Sequence, residues 1–269
     1  MSALSPKLPP FARDAIVRFL QSHLDGPPPR TALIGLSGGI DSALVARLLV
    51  EAVGAPRVVG VLLRGENFPE SLRAETRAFA ASLGIELRDI PVGAAVAALN
   101  SLVPEVSDRI TMGNVVARLR MTIDYALARQ LNALVVGTGN KSELLLGYFT
   151  KYGDGGVDLL PIGDLYKTEV RALAAELDLP AAIRARAPSA GFWEGQTDEE
   201  ELGLPYEKID RILRGLEELR EPEEIVRITG IARSDVDAVV VRVAQNRHKR
   251  RPVPIPKLSL RTVGLDWRD

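Results

Sequence analysis

The sequence predicts an α/β fold, a doubly wound and mostly parallel sheet followed by C-terminal helices. Three observations predict it. Short apolar runs alternate with helical segments through the first half of the chain. One of those runs, Arg57–Leu63, is apolar almost without interruption, as expected of a strand covered on both faces. The stretch Tyr206–Asn246 has helical spacing throughout. Strands separated by helices imply right-handed crossovers and hence parallel neighbours.

The elements follow in order. Phe11, Ala15, Ile16, Phe19, Leu20 and Leu24 recur at helical spacing, with Arg13, Asp14 and Arg18 between them, which predicts an amphipathic helix and not a signal peptide. Thr31–Leu36 is a short strand stopped by the glycines of Ser37-Gly-Gly. Ser42–Val53 is a helix with Leu44, Val45, Leu48, Leu49 and Val53 turned inward. After the strand Arg57–Leu63 come a helix over Pro69–Leu83 and a strand over Ile85–Val92. Helices over Ala94–Leu102 and Asn114–Leu131 follow, then a buried strand over Ala133–Val136. The Gly-rich, polar stretch Gly137–Lys167 predicts a functional loop region. A helix over Thr168–Leu177 is halted by Pro180, Ala187–Pro205 is irregular, and a Pro-punctuated tail begins at Arg251. One domain is expected over residues 1–269, with an α/β core near 27–178 and a loop and helical part near 179–269 packed on it.

Composition narrows the function. Thirty-four Lys and Arg against 35 Asp and Glu leave a net charge of -1, so no global attraction draws the chain to nucleic acid or to an anionic membrane. Any anion site must be local. Cysteine is absent, which excludes disulfides, thiolate metal sites and Cys nucleophiles. No apolar run approaches the ~18 residues of a membrane span, and a cytoplasmic protein is expected.

The segment Gly35-Leu-Ser-Gly-Gly-Ile-Asp-Ser, between the first strand and its helix, carries the strongest chemistry. Glycines at a helix N-terminus offer backbone N–H groups to an anion. Gly38 and Gly39 allow close approach of phosphate oxygens, and Ser37 and Ser42 add hydroxyls. Asp41 would repel a phosphate unless a metal ion lay between them. No Lys follows the glycines, so this is not the common NTPase loop, and the chain has no G-x-G-x-x-G fingerprint. Ser37-Gly-Gly-Ile-Asp-Ser instead resembles the pyrophosphate loop of the N-type ATP pyrophosphatases, whose fold is called adenine nucleotide α-hydrolase-like. These enzymes cleave ATP between its α and β phosphates.

Further segments are similar to those of the ammonia-dependent NAD synthetases, and with the loop they span most of the chain. They are Asn114-Val-Val-Ala-Arg-Leu-Arg-Met, Val136-Gly-Thr-Gly-Asn-Lys-Ser-Glu, Gly147-Tyr-Phe-Thr-Lys-Tyr-Gly-Asp-Gly-Gly-Val-Asp, Pro161-Ile-Gly-Asp-Leu-Tyr-Lys-Thr-Glu-Val, Ala187-Pro-Ser-Ala-Gly-Phe-Trp-Glu and Asn246-Arg-His-Lys-Arg-Arg-Pro. The resemblance implies ATP contacts at Gly35, Leu36, Ser37, Gly38, Gly39, Ile40, Asp41, Ser42, Thr138, Lys167 and Ser189. It implies a deamido-NAD site at Arg118, Lys151, Asp158, His248 and Lys249, and Mg²⁺ held by Asp41 and Glu143. Glu143 could equally be an ordinary first-turn helix acid. Lys167 at a helix start opposes the dipole, which an ATP phosphate would offset; a lysine pointing into water is the plainer alternative. Arg120 and Asp124 are expected as a solvated i,i+4 pair, and the acidic run Asp198–Glu201 as a solvated helix start with no ligand. Arg247, Arg250 and Arg251 are left without a role.

By the same resemblance, the chain adenylates the nicotinate carboxylate of deamido-NAD with ATP, and ammonia then displaces AMP to give NAD. No covalent enzyme intermediate is implied. Glutamine-using relatives carry a fused domain with a catalytic Cys; 269 residues without Cys lead to free ammonia, or a separate glutaminase chain, as the expected nitrogen source. The helix over Asn114–Leu131 lies at the family's dimer interface, so a homodimer is expected. Two rivals remain at this stage: another adenylating enzyme of the class, such as a GMP synthetase or a tRNA-modifying enzyme, and a nucleotide-binding stress protein that does not consume ATP.

Overall fold

The computed structural model describes residues 4–65, 68–189, 191, 195–263 and 266. Residues 190 and 192–194, in the segment that begins at Ala187, lie outside the described residues.

Helix α1 (Ala12–Leu24) leads into strand β1 (Thr31–Gly35) and helix α2 (Ile40–Val53). Strand β2 (Val58–Arg64), helix α3 (Glu70–Leu83) and strand β3 (Glu86–Pro91) follow. Helices α4 (Gly93–Leu102) and α5 (Arg109–Leu131) then return the chain to strand β4 (Ala133–Val136). All pairings are parallel and the order is β3-β2-β1-β4, with Leu159 adding one parallel bridge to Val136.

The alternation of β1 explains why helices cover both faces. Ala32 and Ile34 face the cluster formed with α1, α2 and α3, while Leu33 faces a second cluster built from Val61, Leu63, Val135 and Ala128 of α5. Helix α2 is buried almost all round, from Ile40 to Ala52, because it is wedged between the sheet and α1. In α1 the inward residues are Ala12, Ile16, Leu20 and Leu24; Phe11 and Phe19, expected on the apolar stripe, are instead exposed at the helix margin.

The stretch Gly137–Lys167 is not all loop. It contains helix α6 (Lys141–Leu146), whose signal was present in sequence. Asn140 and Glu143 form a reciprocal capping box and Gly147 ends the helix in the left-handed region at φ 66°. Helix α7 spans Lys167–Glu176 and the short α8 spans Ala181–Ala185. Another short helix, α9 (Asp198–Leu202), interrupts the segment expected to be irregular, capped by Thr197. Helices α10 (Tyr206–Glu217), α11 (Pro222–Thr229) and α12 (Arg233–Gln245) complete the chain before a single 3₁₀ turn at Asn246–Lys249. These helices bury their own cluster, in which Leu146 and Tyr166 meet Ile209, Ile212, Leu213, Ile225 and Val236. The same cluster holds α6 and the start of α7 in place.

Helix α5 starts five residues before the expected Asn114, capped by Asp108, whose carboxylate accepts from Thr111 N–H at 2.8 Å. Of its 23 residues, only Gly113, Ala117 and Ala128 are buried. Among the described residues no helix is long and apolar enough to cross a membrane.

Candidate active site

In the order β3-β2-β1-β4 the chain runs outward from β1 to β3 and then returns to β4 on the other side of β1. The crevice between β1 and β4 is therefore the switch point, beyond whose C-terminal strand ends open α/β sheets bind ligands. The loop Gly35–Gly39 leaves β1 there, and Thr138–Asn140 leaves β4 beside it.

Why the loop takes its shape is visible in its bonds. Leu36 N–H still donates to Val61 of the sheet at 2.8 Å, and the Leu36 and Ile40 side chains are buried in the core. These two residues can meet a ligand only through backbone atoms. Gly38 sits at φ 81°, and a Cβ there would lie 2.5 Å from Leu72 Cδ1 of α3. Only glycine satisfies both the dihedral and the space. Ser37 Oγ accepts from Gly39 N–H at 3.2 Å, and Ser42 Oγ donates to Gly39 O at 3.0 Å, closing the turn on itself. The helical ladder of α2 begins with Ala43 N–H to Gly39 O. The N–H groups of Ile40, Asp41 and Ser42 therefore belong to the unpaired first turn that suits an anion.

Three segments distant in sequence bring charge to this crevice. Asp41 lies in the first turn of α2, Glu143 in that of α6 and Lys167 at the first position of α7. Lys167 Nζ donates to Asp41 Oδ2 at 2.6 Å and to Glu143 Oε1 at 3.1 Å, and Asn140 Nδ2 donates to the other Asp41 oxygen at 3.0 Å. Asn140 thus caps α6 and orients the acid of the phosphate loop at once. Lys167 is only 2% exposed, so the alternative of a lysine in water is excluded. Its ammonium also lies 5.3 Å from the centre of the Tyr206 ring. Burial works against the Lys167 charge, but Asp41 and Glu143 outweigh it and hold its pKa above the usual lysine value. Burial raises Glu143, with Lys167 opposing and Asp41 reinforcing the shift.

The start of α7 is fixed by side chains from two other helices. Ser142 Oγ accepts from Lys167 N–H at 2.9 Å and donates to Asp210 Oδ1 at 2.5 Å, and Asp210 Oδ2 accepts from Thr168 N–H at 2.8 Å. Asp210 is fully buried. A carboxylate at the helix N-terminus compensates the dipole that Lys167 opposes.

Asp198 corrects the sequence expectation. The run Asp198–Glu201 does start a helix, but Asp198 is 4% exposed and not solvated. It accepts from Tyr206 O–H at 3.3 Å, burial raises its pKa, and Lys167 opposes that rise. Its Oδ1 has no hydrogen-bond partner among the described residues. Sequence reasoning missed it because a string of acids looks alike from Asp198 to Glu201; only the turn of α9 separates the inward one. No group of three or more His, Cys, Asp and Glu among the described residues is arranged to hold a metal ion by itself. Asp41 and Glu143 already share one cation, the Lys167 ammonium, and their oxygens suit Mg²⁺ once ligand oxygens complete the shell.

The residues expected at deamido-NAD lie on the other side of β4. Asp158 accepts from Val135 N–H at 2.8 Å and from Tyr125 O–H at 3.1 Å; burial first and Asp158 second push the Tyr125 hydroxyl up to about 12. Arg118 Nε donates to Lys151 O at 3.3 Å, and Lys151 Nζ to His248 O at 3.2 Å, so these three residues form one neighbourhood. Lys249 turns inward and donates to Gly147 O at 2.6 Å and Phe149 O at 2.8 Å, and burial lowers its pKa. Arg250, given no role from sequence, donates to Leu144 O, Leu145 O at 2.6 Å and Val243 O at 2.9 Å, so it caps the end of α6. The Arg120–Asp124 pair is not solvated: burial pushes Asp124 up to about 7 and lowers Arg120, and Asp124 Oδ1 has no hydrogen-bond partner among the described residues. Thr138 is half-buried at the end of β4 beside the crevice. Ser189 is exposed and its hydroxyl accepts from Gly191 N–H at 3.1 Å; no described hydrogen bond joins it to the phosphate loop.

Comparison with known proteins bears on the fold and the family. A family model described as NAD synthase matches residues 13–253. The chain is 47% identical over 250 residues to the NH(3)-dependent NAD(+) synthetase of Methanosarcina acetivorans, covering 92% of this chain and 98% of that one. Among solved structures it is similar to the NMN synthetase of Francisella tularensis, with a TM-score of 0.81, 33% identity, and 92% and 98% of the two chains covered. It is also similar to the NH3-dependent NAD synthetase of Campylobacter jejuni, with a TM-score of 0.77, 30% identity, and 91% and 97% covered.

Proposed function

This chain belongs to the NAD synthase family, and from that premise we propose that it converts deamido-NAD to NAD with ATP and ammonia. The observation that carries the reading is the shared Lys167 ammonium between Asp41 and Glu143, set against a phosphate-binding turn.

In this reading the carboxylate of deamido-NAD attacks the α-phosphorus of ATP, giving an acyl-adenylate and pyrophosphate. Ammonia then adds to the activated carbonyl and AMP leaves. The first-turn N–H groups of α2 and the hydroxyls of Ser37 and Ser42 bind the departing pyrophosphate. Before substrate arrives, Asp41 and Glu143 hold the Lys167 pKa above the usual lysine value. Its charge is therefore present before the phosphate charge develops, and such preorganisation is the main catalytic contribution in sites of this kind. Asp41 and Glu143 would hold Mg²⁺ when ATP is present, and the ion would neutralise charge on the phosphate oxygens. Thr138 and Ser189 would contact ATP, and Arg118, Lys151, Asp158, His248 and Lys249 the dinucleotide. Asp198 would face the same site from α9. A homodimer acting in the cytoplasm is part of the reading, supported by how little of α5 a single chain buries.

The likeness to an NMN synthetase favours one specific second reading, in which the acceptor is nicotinate mononucleotide. A single assay tests both: pyrophosphate, AMP and amide product are measured with ATP, Mg²⁺ and each acid, using ammonium salts or glutamine as nitrogen source. Turnover with deamido-NAD and ammonium, and none with glutamine alone, is expected. Preference for the mononucleotide would replace the acceptor; ADP in place of AMP, or efficient use of glutamine, would overturn the mechanism.

A further inference from the structure

The mechanism leaves one charged contact on the phosphate loop unused. Arg186, just past α8, donates through one guanidinium nitrogen to the carbonyl oxygen of Gly38 and through the other to the carboxylate of Glu75 on α3. The carbonyl it holds belongs to the peptide between Gly38 and Gly39. The other end of that peptide, Gly39 N–H, donates to Ser37 Oγ. One planar unit is therefore gripped at both ends.

That grip matters because of which peptide it is. A bond between two glycines is the easiest in the chain to turn over, since neither residue carries a Cβ to oppose the change. The carbonyl and the N–H of a trans peptide point in opposite directions. Turned over, the Gly38 carbonyl would leave Arg186 and aim its lone pairs where an anion must sit, and the Gly39 N–H would lose Ser37 Oγ. Leu72 and Thr76 of α3 crowd Gly38 from one side, but they restrain its position and not its carbonyl. Arg186 alone supplies a charged donor to that oxygen among the described contacts. Glu75 in turn holds the guanidinium in place and reduces its pull on any other anion.

We infer that Arg186, oriented by Glu75, is a positioning residue that locks the Gly38–Gly39 peptide with its carbonyl turned away from the phosphates. The inference deepens the proposed function and rests on the phosphate loop assigned there. It also gives the following segment a purpose. Ser189 is three residues beyond Arg186, so the chain can carry it no more than about 11 Å from the backbone of the clasping residue.

Titration of pyrophosphate with Mg²⁺ into the full chain tests the clasp without requiring turnover. Arg186→Ala should weaken pyrophosphate about tenfold, the scale of one charge-assisted hydrogen bond. Arg186→Lys, which keeps one donor, should recover part of that loss. Glu75→Gln should weaken pyrophosphate less than Arg186→Ala does. Deamido-NAD affinity and the thermal midpoint should stay at wild-type values in all three. Three results would overturn the inference: Arg186→Ala binding pyrophosphate as tightly as wild type, wild type failing to bind it, or equal losses for both ligands with a lowered midpoint. If pyrophosphate binding depends on Arg186 but the wild type forms no amide product, the clasp stands and the proposed function falls.

Discussion

The two sides of β4 treat charge differently. On the phosphate side, Asp41, Asn140, Glu143 and Lys167 saturate one another, and Ser142 with Asp210 fixes the helix start that carries the lysine. On the α5 side, contacts among the described residues are sparse: Arg118 reaches a single backbone oxygen at 3.3 Å, and one Asp124 oxygen has no hydrogen-bond partner there. The difference teaches which half of the site one chain can preorganise. In the proposed reaction the phosphates need fixed charge before the substrate arrives, and buried helix ends would supply it. Helix α5 itself buries only Gly113, Ala117 and Ala128.

The strongest way to break this comparison is to remove the shared cation. Lys167→Met should lower pyrophosphate release by about 10³-fold, the scale of losing a preorganised charge. Little change would mean that the saturated cluster is only a structural pair. Asp41→Asn should follow, with a loss of about 10²-fold and a thermal midpoint near wild type, because Asn still accepts from Asn140. Intact turnover would remove the loop from the mechanism. A third experiment sharpens the α5 side. If a second copy completes it, dilution of the protein should weaken deamido-NAD several-fold while leaving ATP affinity unchanged, measured by fluorescence titration at two protein concentrations. Equal affinities at both would assign that face to one chain.

A separate expected effect is one of pH. Burial raises the Asp124 carboxyl to about 7, only partly offset by Arg120. The native state therefore holds a proton that the unfolded chain releases near pH 4. Stability should fall as pH rises from about 4 to about 7 and level off above. Asp124→Asn should flatten that slope in urea midpoints measured at pH 5 and pH 8; an unchanged slope would place the titration elsewhere.

Particular residues show where the sequence was informative. Gly38 and Gly39 between a strand and a helix marked the tight turn that the structure forms there, with Gly38 at φ 81°. Lys167 was conspicuous because a cation at a helix start needs a nearby anion. Asp198 was hidden, since its role depends on how α9 rotates against Tyr206, a tertiary fact without a local signature. The Arg120–Asp124 pair was misjudged for the same reason: i,i+4 spacing reports that two charges face one another, but not whether water reaches them. Phe11 and Phe19 matched a helical period but fell at the edge of the stripe, where large apolar residues remain exposed. Asn140-x-x-Glu143 followed by Gly147 did spell out α6, but a six-residue helix in a Gly-rich stretch is easily taken for a loop.

That short helix has a mechanical consequence. Glu143 is in its first turn, while at its far end Gly147 O accepts from Lys249 and a Cβ at Gly147 would lie 2.2 Å from Asn246 Cβ. Six residues make a rod of only about 9 Å, too short to bend between its two anchors. In the proposed reading, a push at the acidic end would be passed to the turn carrying His248 and Lys249. Occupancy by one substrate should therefore alter the grip on the other, and by the same factor in both directions. The strut that joins the two halves of the pocket would also be the link through which each senses the other.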